Sequence, residues 1–262
     1  MDMAEPVEVA IEDRIATVTL NRPDVYNAFD RALVSVFARR MTELAADDAV
    51  SAVIITGAGK AFCAGGNLKA IRDSPEGAKS TLHQLAAQFH AGVLEMRRMP
   101  KPVIAAVNGP AAGGGFSLAL AADFRVMAQS AYLKCAYLAA GLTLDGGGTW
   151  ILPRLVGLQR AMEITLFDQA ISAEKAVELG LATKAVEDGR VVEEARAMAQ
   201  GLMRLSRHSY AWTKRLLLES MHTSLETQLE REREGIAACG AHPDGQEGMA
   251  AFAEKRKPIF NQ

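Results

Sequence analysis

Three glycine-rich segments hold most of the chemistry this chain could do. They are Ala61-Phe62-Cys63-Ala64-Gly65-Gly66-Asn67-Leu68, Asn108-Gly109-Pro110-Ala111-Ala112-Gly113-Gly114-Gly115-Phe116-Ser117-Leu118, and Gly141-Leu142-Thr143-Leu144-Asp145-Gly146-Gly147-Gly148-Thr149-Trp150. Two such turns after buried strands can aim backbone N–H groups at one point. Glycine permits close approach, and a helix N-terminus adds the positive end of its dipole. Two converging N–H donors form an oxyanion hole, worth about 3 kcal/mol per donor in a buried site. Taken singly, the same glycines also suit tight turns and close helix packing. Neither nucleotide fingerprint fits: Phe62 stands where Gly57-x-Gly59 would need its third glycine, and no GxxxxGK[ST] occurs. The third segment adds a carboxylate, Asp145. It can cap a helix starting near Thr149 or close an Asx-turn. It can equally serve as a general base, since an apolar surrounding moves a carboxyl toward the range useful for that task.

The elements that must position these segments are legible in outline. Val7 to Leu20 alternates around Glu12-Asp13-Arg14 and predicts a β-hairpin. Asp30 is placed to cap a helix carrying Leu33, Val36, Phe37, Met41 and Leu44 at spacings of three and four. Val50 to Thr56 and Val103 to Val107 are short apolar runs, each entering a glycine loop, and predict buried strands. A long helix is expected over Lys79 to Arg98 and a small-residue helix over Gly114 to Ala122. Alternation of strand and helix predicts right-handed crossovers and a parallel sheet. Beyond about Gly157 helical patterns dominate (Arg160–Phe167, Ala173–Gly180, Val191–Leu205, Ser209–Ser220, Leu225–Ala238 and a tail from Asp244 to Lys257), with one short strand near Leu181–Val186. This gives an α/β core over residues 1–190 and a helical section over 191–262, with no flexible linker between them.

Composition narrows the classes further. The 262 residues are 49% hydrophobic and 23% charged, which supports a sizeable core. Lys plus Arg number 29 against 31 Asp plus Glu, a net charge of −2 that points to neither nucleic acid nor an anionic membrane as partner. The longest apolar stretch, near Pro102 to Val107, is far short of the roughly 20 residues that span a bilayer. The start Met1-Asp2-Met3-Ala4-Glu5 lacks the basic and apolar regions of a signal peptide. Cys63, Cys135 and Cys239 are widely spaced and form no CxxC. The expectation is a cytoplasmic, metal-free protein.

Several stretches together resemble the crotonase (enoyl-CoA hydratase/isomerase) superfamily. They are Leu20-Asn21-Arg22-Pro23 with Asn27-Ala28, AFCAGGNLK at Ala61–Lys69, KPVIAAVNGPAAGGG at Lys101–Gly115, GGTWILPRLVG at Gly147–Gly157, and AFAEKRKPIF at Ala251–Phe260. They span almost the whole chain in family order. The resemblance implies a spiral of ββα units, a homotrimer or a hexamer built from two trimers, and stabilisation of an acyl-CoA thioester enolate. It assigns the thioester oxygen to the N–H groups of Gly66 and Gly114. It lays Ala64, Asn67, Leu68 and Lys69 along the coenzyme A portion of the substrate. Phe252 and Lys255, from this chain or a neighbouring subunit, fall at the nucleotide end, and residues 191–262 become a trimerisation section. No separate cofactor and no metal are implied.

The same resemblance bears on the reaction. The family's hydratases add water with two glutamates, at positions held here by Ser117 and Tyr137. Neither is an acid at neutral pH. Syn addition of water needs one group to activate water and another to deliver a proton, so their loss points away from hydration. One base suffices to move a proton from C2 to C4 of a 3-enoyl-CoA, and Asp145 is the candidate. The chain is most similar by motif to the ring-epoxide isomerases of phenylacetyl-CoA breakdown, which also act on Δ3,Δ2-enoyl-CoA. A rival resemblance is to 4-chlorobenzoyl-CoA dehalogenases, in which an Asp attacks the ring and a His activates water. Asp145 and His90 match those two, whereas Tyr137 stands where that subgroup has Trp. Hydration (lyase chemistry) and a non-catalytic acyl-CoA-binding module complete the alternatives.

Overall fold

The structure, a computed structural model, describes residues 5–261. The acidic opening Met1-Asp2-Met3-Ala4, read above as lacking a signal peptide, lies outside the described residues. The expected hairpin forms as β1 (Val7–Glu12) and β2 (Ile15–Leu20), paired antiparallel with Glu12 opposite Ile15. Asp13 and Arg14 both take positive φ, 51° and 64°, the turn whose twist matches the flanking strands. Helix α1 (Arg31–Ala46) starts where Asp30 Oδ1 accepts the Leu33 N–H at 2.8 Å, and its Leu33, Phe37, Met41 and Leu44 are buried as their spacing requires.

Strand β3 (Ala52–Gly57) leads through a loop to a short helix, α2 (Leu68–Arg72), and then to the long helix α3 (Gly77–Arg98). Next come β4 (Val103–Val107), β5 (Ala111–Ala112), α4 (Gly114–Ala121), β6 (Phe124–Ala128) and β7 (Tyr132–Lys134). Helices α5 (Gly148–Val156) and α6 (Leu158–Phe167), strand β8 (Ile171–Ser172), α7 (Ala173–Glu178) and β9 (Lys184–Val186) complete the α/β portion. Four helices follow: α8 (Val191–Met203), α9 (Arg207–Glu219), α10 (Leu225–Ala241) and α11 (Pro243–Ala253).

The main sheet has the order β1-β2-β3-β4-β6-β9 and is parallel from β2 onward, and a smaller sheet joins β5, β7 and β8. Strands β3 and β4 are buried along their whole length, as apolar strands covered on both faces must be. Helices α1 and α3 cover one face. Helix α8 covers the other, setting Val191, Ala195 and Ala199 against Ile54, Ile104 and Val126. Helix α8, the first element past residue 190, closes the second side of the sheet with its apolar face.

Helix α9 is bolted to the core by charge. Lys214 on α9 is buried and donates to Asp123 Oδ2 at 2.7 Å and to the Met96 and Lys101 carbonyls at 3.1 Å each. Breaking such a pair strands a buried charge, at a cost of about 3–5 kcal/mol. Among the described residues no helix is long and apolar enough to cross a membrane.

Candidate active site

The first two glycine segments meet edge to edge. The loop after β3 is braced by Asn27, a fully buried residue at φ 57°, whose Nδ2 donates to the carbonyls of Ala58 at 2.9 Å and Ala61 at 2.8 Å. Asn108, at the end of β4, accepts the Gly57 N–H at 3.1 Å and donates to the Gly59 carbonyl at 3.1 Å. Neither role was read from the sequence, where Asn27 stands in Val25-Tyr26-Asn27-Ala28 and only Asn108 adjoins a glycine turn. The Ala112 N–H then donates to the Cys63 carbonyl at 2.9 Å, which zips the two loops together. A Cβ on Gly115 would fall 2.1 Å from that same carbonyl, and one on Gly65 would fall 2.9 Å from the Gly114 nitrogen. Only glycine permits that approach.

Helix α4 begins at Gly114, so its first N–H has no partner within the helix. Among the described residues neither the Gly66 nor the Gly114 N–H finds an intramolecular acceptor. Both glycines line a cavity of about 100 Å³ together with Ala64, Leu68, Tyr137 and Asp145. Phe29, Leu82, Leu85, Phe89 and Leu142 supply its apolar wall. Cys63, under the floor, is fully buried, and burial pushes its thiol up to about 12, so it is no nucleophile.

Asp145 does not cap a helix. The N-cap of α5 is Gly147, with no side-chain cap, and the turn is closed by the Gly148 N–H donating to the Asp145 carbonyl at 3.0 Å. The carboxylate instead accepts the Tyr137 hydroxyl on Oδ1 at 2.6 Å, and its side chain is 35% exposed rather than sunk in an apolar loop. Tyr137 is presented by a strained bend. Ala136 sits at φ 56°, held by its N–H donating to Asp168 Oδ1 at 2.6 Å. Gly146 takes φ 59°, and a Cβ there would strike the Phe89 ring at 2.3 Å.

The other expected contacts divide in two. Ser117 is fully buried behind Tyr137, its Oγ 3.1 Å from the phenol oxygen, and it does not line the cavity. Ser117, expected with Tyr137 among the substrate-binding residues, is turned by the helix toward the loop of the third segment. Asn67 caps α2, accepting the Ala70 N–H at 3.1 Å, and with Lys69 lies outside the cavity lining. Phe252 is 87% exposed and Lys255 is also at the surface, away from the cavity. His90 does not line the cavity either: its Nε2 accepts the Gly146 N–H at 3.0 Å and stands 3.7 Å from Asp145 Oδ2. Among the described residues no group of three or more His, Cys, Asp or Glu could hold a metal ion.

The profile of the enoyl-CoA hydratase/isomerase family matches residues 10–262. The chain belongs to that family. Enoyl-CoA hydratase/isomerase membership makes it an acyl-CoA enzyme with the crotonase fold, and its relatives carry several activities in their names. The 1,2-epoxyphenylacetyl-CoA isomerase of Escherichia coli (strain K12) is 35% identical over 259 residues, 98% of this chain and 99% of that one. The 4-chlorobenzoyl coenzyme A dehalogenase-2 of Arthrobacter sp. is 30% identical over 250 residues, covering 95% and 91%. The crystal structure of an enoyl-CoA hydratase from Polaromonas sp. JS666 superposes with a TM-score of 0.90 at 36% identity, covering 97% of this chain and 99% of that one.

Proposed function

We propose that this family member isomerises an acyl-CoA thioester, shifting a double bond or opening a ring epoxide, with Asp145 as its single base. The observation that carries this reading is that, among the described residues, Asp145 is the one carboxylate on a cavity whose other rim holds the N–H groups of Gly66 and Gly114, which find no acceptor there. With a 3-enoyl-CoA, the thioester oxygen accepts from those two N–H groups and Asp145 removes a proton from C2. The electron pair spreads into a dienolate whose charge rests on the held oxygen. Asp145 returns the proton at C4, giving the conjugated 2-enoyl-CoA with no net change in the enzyme. Hydration would need a second acid, and Tyr137 is unsuited to it: burial and the neighbouring Asp145 charge push its phenol well above the ordinary tyrosine value. The dehalogenase-like alternative would need His90 facing a water in the cavity, whereas its Nε2 is engaged by Gly146.

Coenzyme A lies along Ala64, Asn67, Leu68 and Lys69 in this reading, and Phe252 and Lys255 reach its nucleotide end across a subunit boundary. A homotrimer, or a hexamer of two trimers, follows from the same reading; light scattering should return three or six chain masses. The reaction is tested by following ultraviolet absorbance with trans-3-hexenoyl-CoA and with crotonyl-CoA. Conjugated absorbance should appear from the first and persist in the second. Asp145→Asn should lower kcat by about 10²–10⁴-fold while leaving acyl-CoA affinity near the wild-type value. Rapid hydration of crotonyl-CoA would overturn the assignment. Equal loss of kcat and affinity in the Asn variant, or no loss of either, would return the non-catalytic binding module.

A further inference from the structure

Asp145 offers two carboxylate oxygens, and their surroundings differ. Oδ1 accepts the Tyr137 hydroxyl at 2.6 Å. The Tyr137 oxygen in turn lies 3.1 Å from Ser117 Oγ. The phenol proton is committed to Asp145, so Ser117 must be the donor to Tyr137, and the order Ser117 to Tyr137 to Asp145 is fixed. Both donors are buried, Ser117 fully and Tyr137 with 8% of its surface exposed, so water does not compete for them. Oδ2 has no hydrogen-bond donor among the described residues. Its titratable neighbour, His90, is 3.7 Å away and already uses Nε2 to accept the Gly146 N–H, so that nitrogen offers Oδ2 no donor. Tyr137 and His90 are the titratable groups facing this carboxylate.

Resting on the isomerase reading above, we propose that Tyr137, backed by Ser117, is a positioning residue that occupies Oδ1 of Asp145 and leaves Oδ2 as the oxygen exchanging the substrate proton. When Oδ2 takes the C2 proton, Asp145 becomes a neutral acid and Oδ1 becomes its carbonyl oxygen. The Tyr137 O–H stays on Oδ1 throughout, and the proton on Oδ2 has no other acceptor held in place than the substrate's C4. The bond from Tyr137 is stronger to the carboxylate than to the acid, because a charged acceptor strengthens a hydrogen bond. Tyr137 thus restrains the rotation of Asp145 before and after the transfer. It fills a position where the family's hydratases hold a glutamate, and it acts there through Asp145 rather than on substrate. The phenol is driven well above the usual tyrosine range by burial and by Asp145, so it remains a donor at every working pH.

The test compares kcat with KM for Tyr137→Phe, which keeps the buried ring and removes the donor. Plateau kcat should fall about tenfold, from freer rotation of the carboxylate, with KM within about threefold of wild type. Ser117→Ala, which weakens the chain one link further out, should lower kcat by less. The double variant should lose no more than Tyr137→Phe alone. A merely structural role would lower thermal stability and raise KM along with the fall in kcat, and that result, or an unchanged kcat, overturns the proposal. The isomerase reading fails separately: it falls if Asp145→Asn retains activity. An inactive Asp145→Asn beside an unchanged kcat in Tyr137→Phe removes only the positioning role.

Discussion

The two rims of the cavity are built by different means. On the Gly66 and Gly114 side, position is set by backbone. Two loops lie in van der Waals contact, zipped by the Ala112-to-Cys63 hydrogen bond, and at Gly65 and Gly115 the approach is so close that a methyl group would collide with main-chain atoms. On the Asp145 side, position is set by side chains: Tyr137 and Ser117 hold the carboxylate, and His90 holds the Gly146 N–H. A backbone-built rim is rigid and all-or-none. A rim built from side-chain hydrogen bonds can be altered in steps.

Breaking the rigid rim should have the largest effect. Gly115→Ala places a Cβ 2.1 Å from the Cys63 carbonyl, which cannot swing aside as a side chain could. Overpacking of this kind costs about 1–3 kcal/mol or more, and about 2–4 °C of Tm per kcal/mol in a chain of this size. Calorimetry should show that loss together with at least a hundredfold fall in kcat/KM. Gly146→Ala, on the other rim, meets the Phe89 ring at 2.3 Å and must hold φ 59° with a side chain. A ring can shift where a carbonyl cannot, so about tenfold in kcat and about 1 kcal/mol of stability is expected. A collapse as severe as that of Gly115→Ala would show that the two rims are equally rigid.

His90→Ala should do less. The imidazole is 45% exposed, so water can take over the Gly146 N–H. A fall in kcat of about two- to fivefold with unchanged KM is expected. A loss of a thousandfold or more would restore His90 to a direct part in the chemistry. The smallest effect is an alkaline one. Because the Tyr137 phenol is raised above its ordinary value near 10, it stays protonated as pH rises, and kcat/KM should show no alkaline limb from this group below about pH 10. An alkaline limb near pH 8 that disappears in Tyr137→Phe would contradict the buried, donating phenol.

Much of the rigid rim was legible in the sequence, because its cues are local. Val103–Val107 is an unbroken apolar run ending at Asn108-Gly109, and the strand has those limits. Asp30 as a cap and the spacing from Leu33 to Leu44 likewise follow from neighbours on one helix. The base side was legible only as residue types. Tyr137, Ser117 and Asp145 could be named, but the bond between residues 117 and 137 and the one between 137 and 145 exist only once α4, the bend at Ala136 and the Gly146 loop are folded together. The short strands β5, β7 and β8, two or three residues each, carry too little pattern to announce themselves. An amphipathic helix such as α8 does not say in its sequence which surface it will cover.

Helix α4 has one further consequence. Its first residue, Gly114, faces the cavity with a free N–H, and its fourth, Ser117, anchors the chain that ends on Asp145. Three residues of helix rise only about 4.5 Å. The helix is therefore a ruler with two marks less than one turn apart, and in the proposed reaction it sets the span between the held oxygen and the proton carrier. A descendant of this protein that needed to work farther along an acyl chain could not gain reach by sliding the helix, since both marks would travel together. It would have to redraw the second mark, with a longer acid or a different loop.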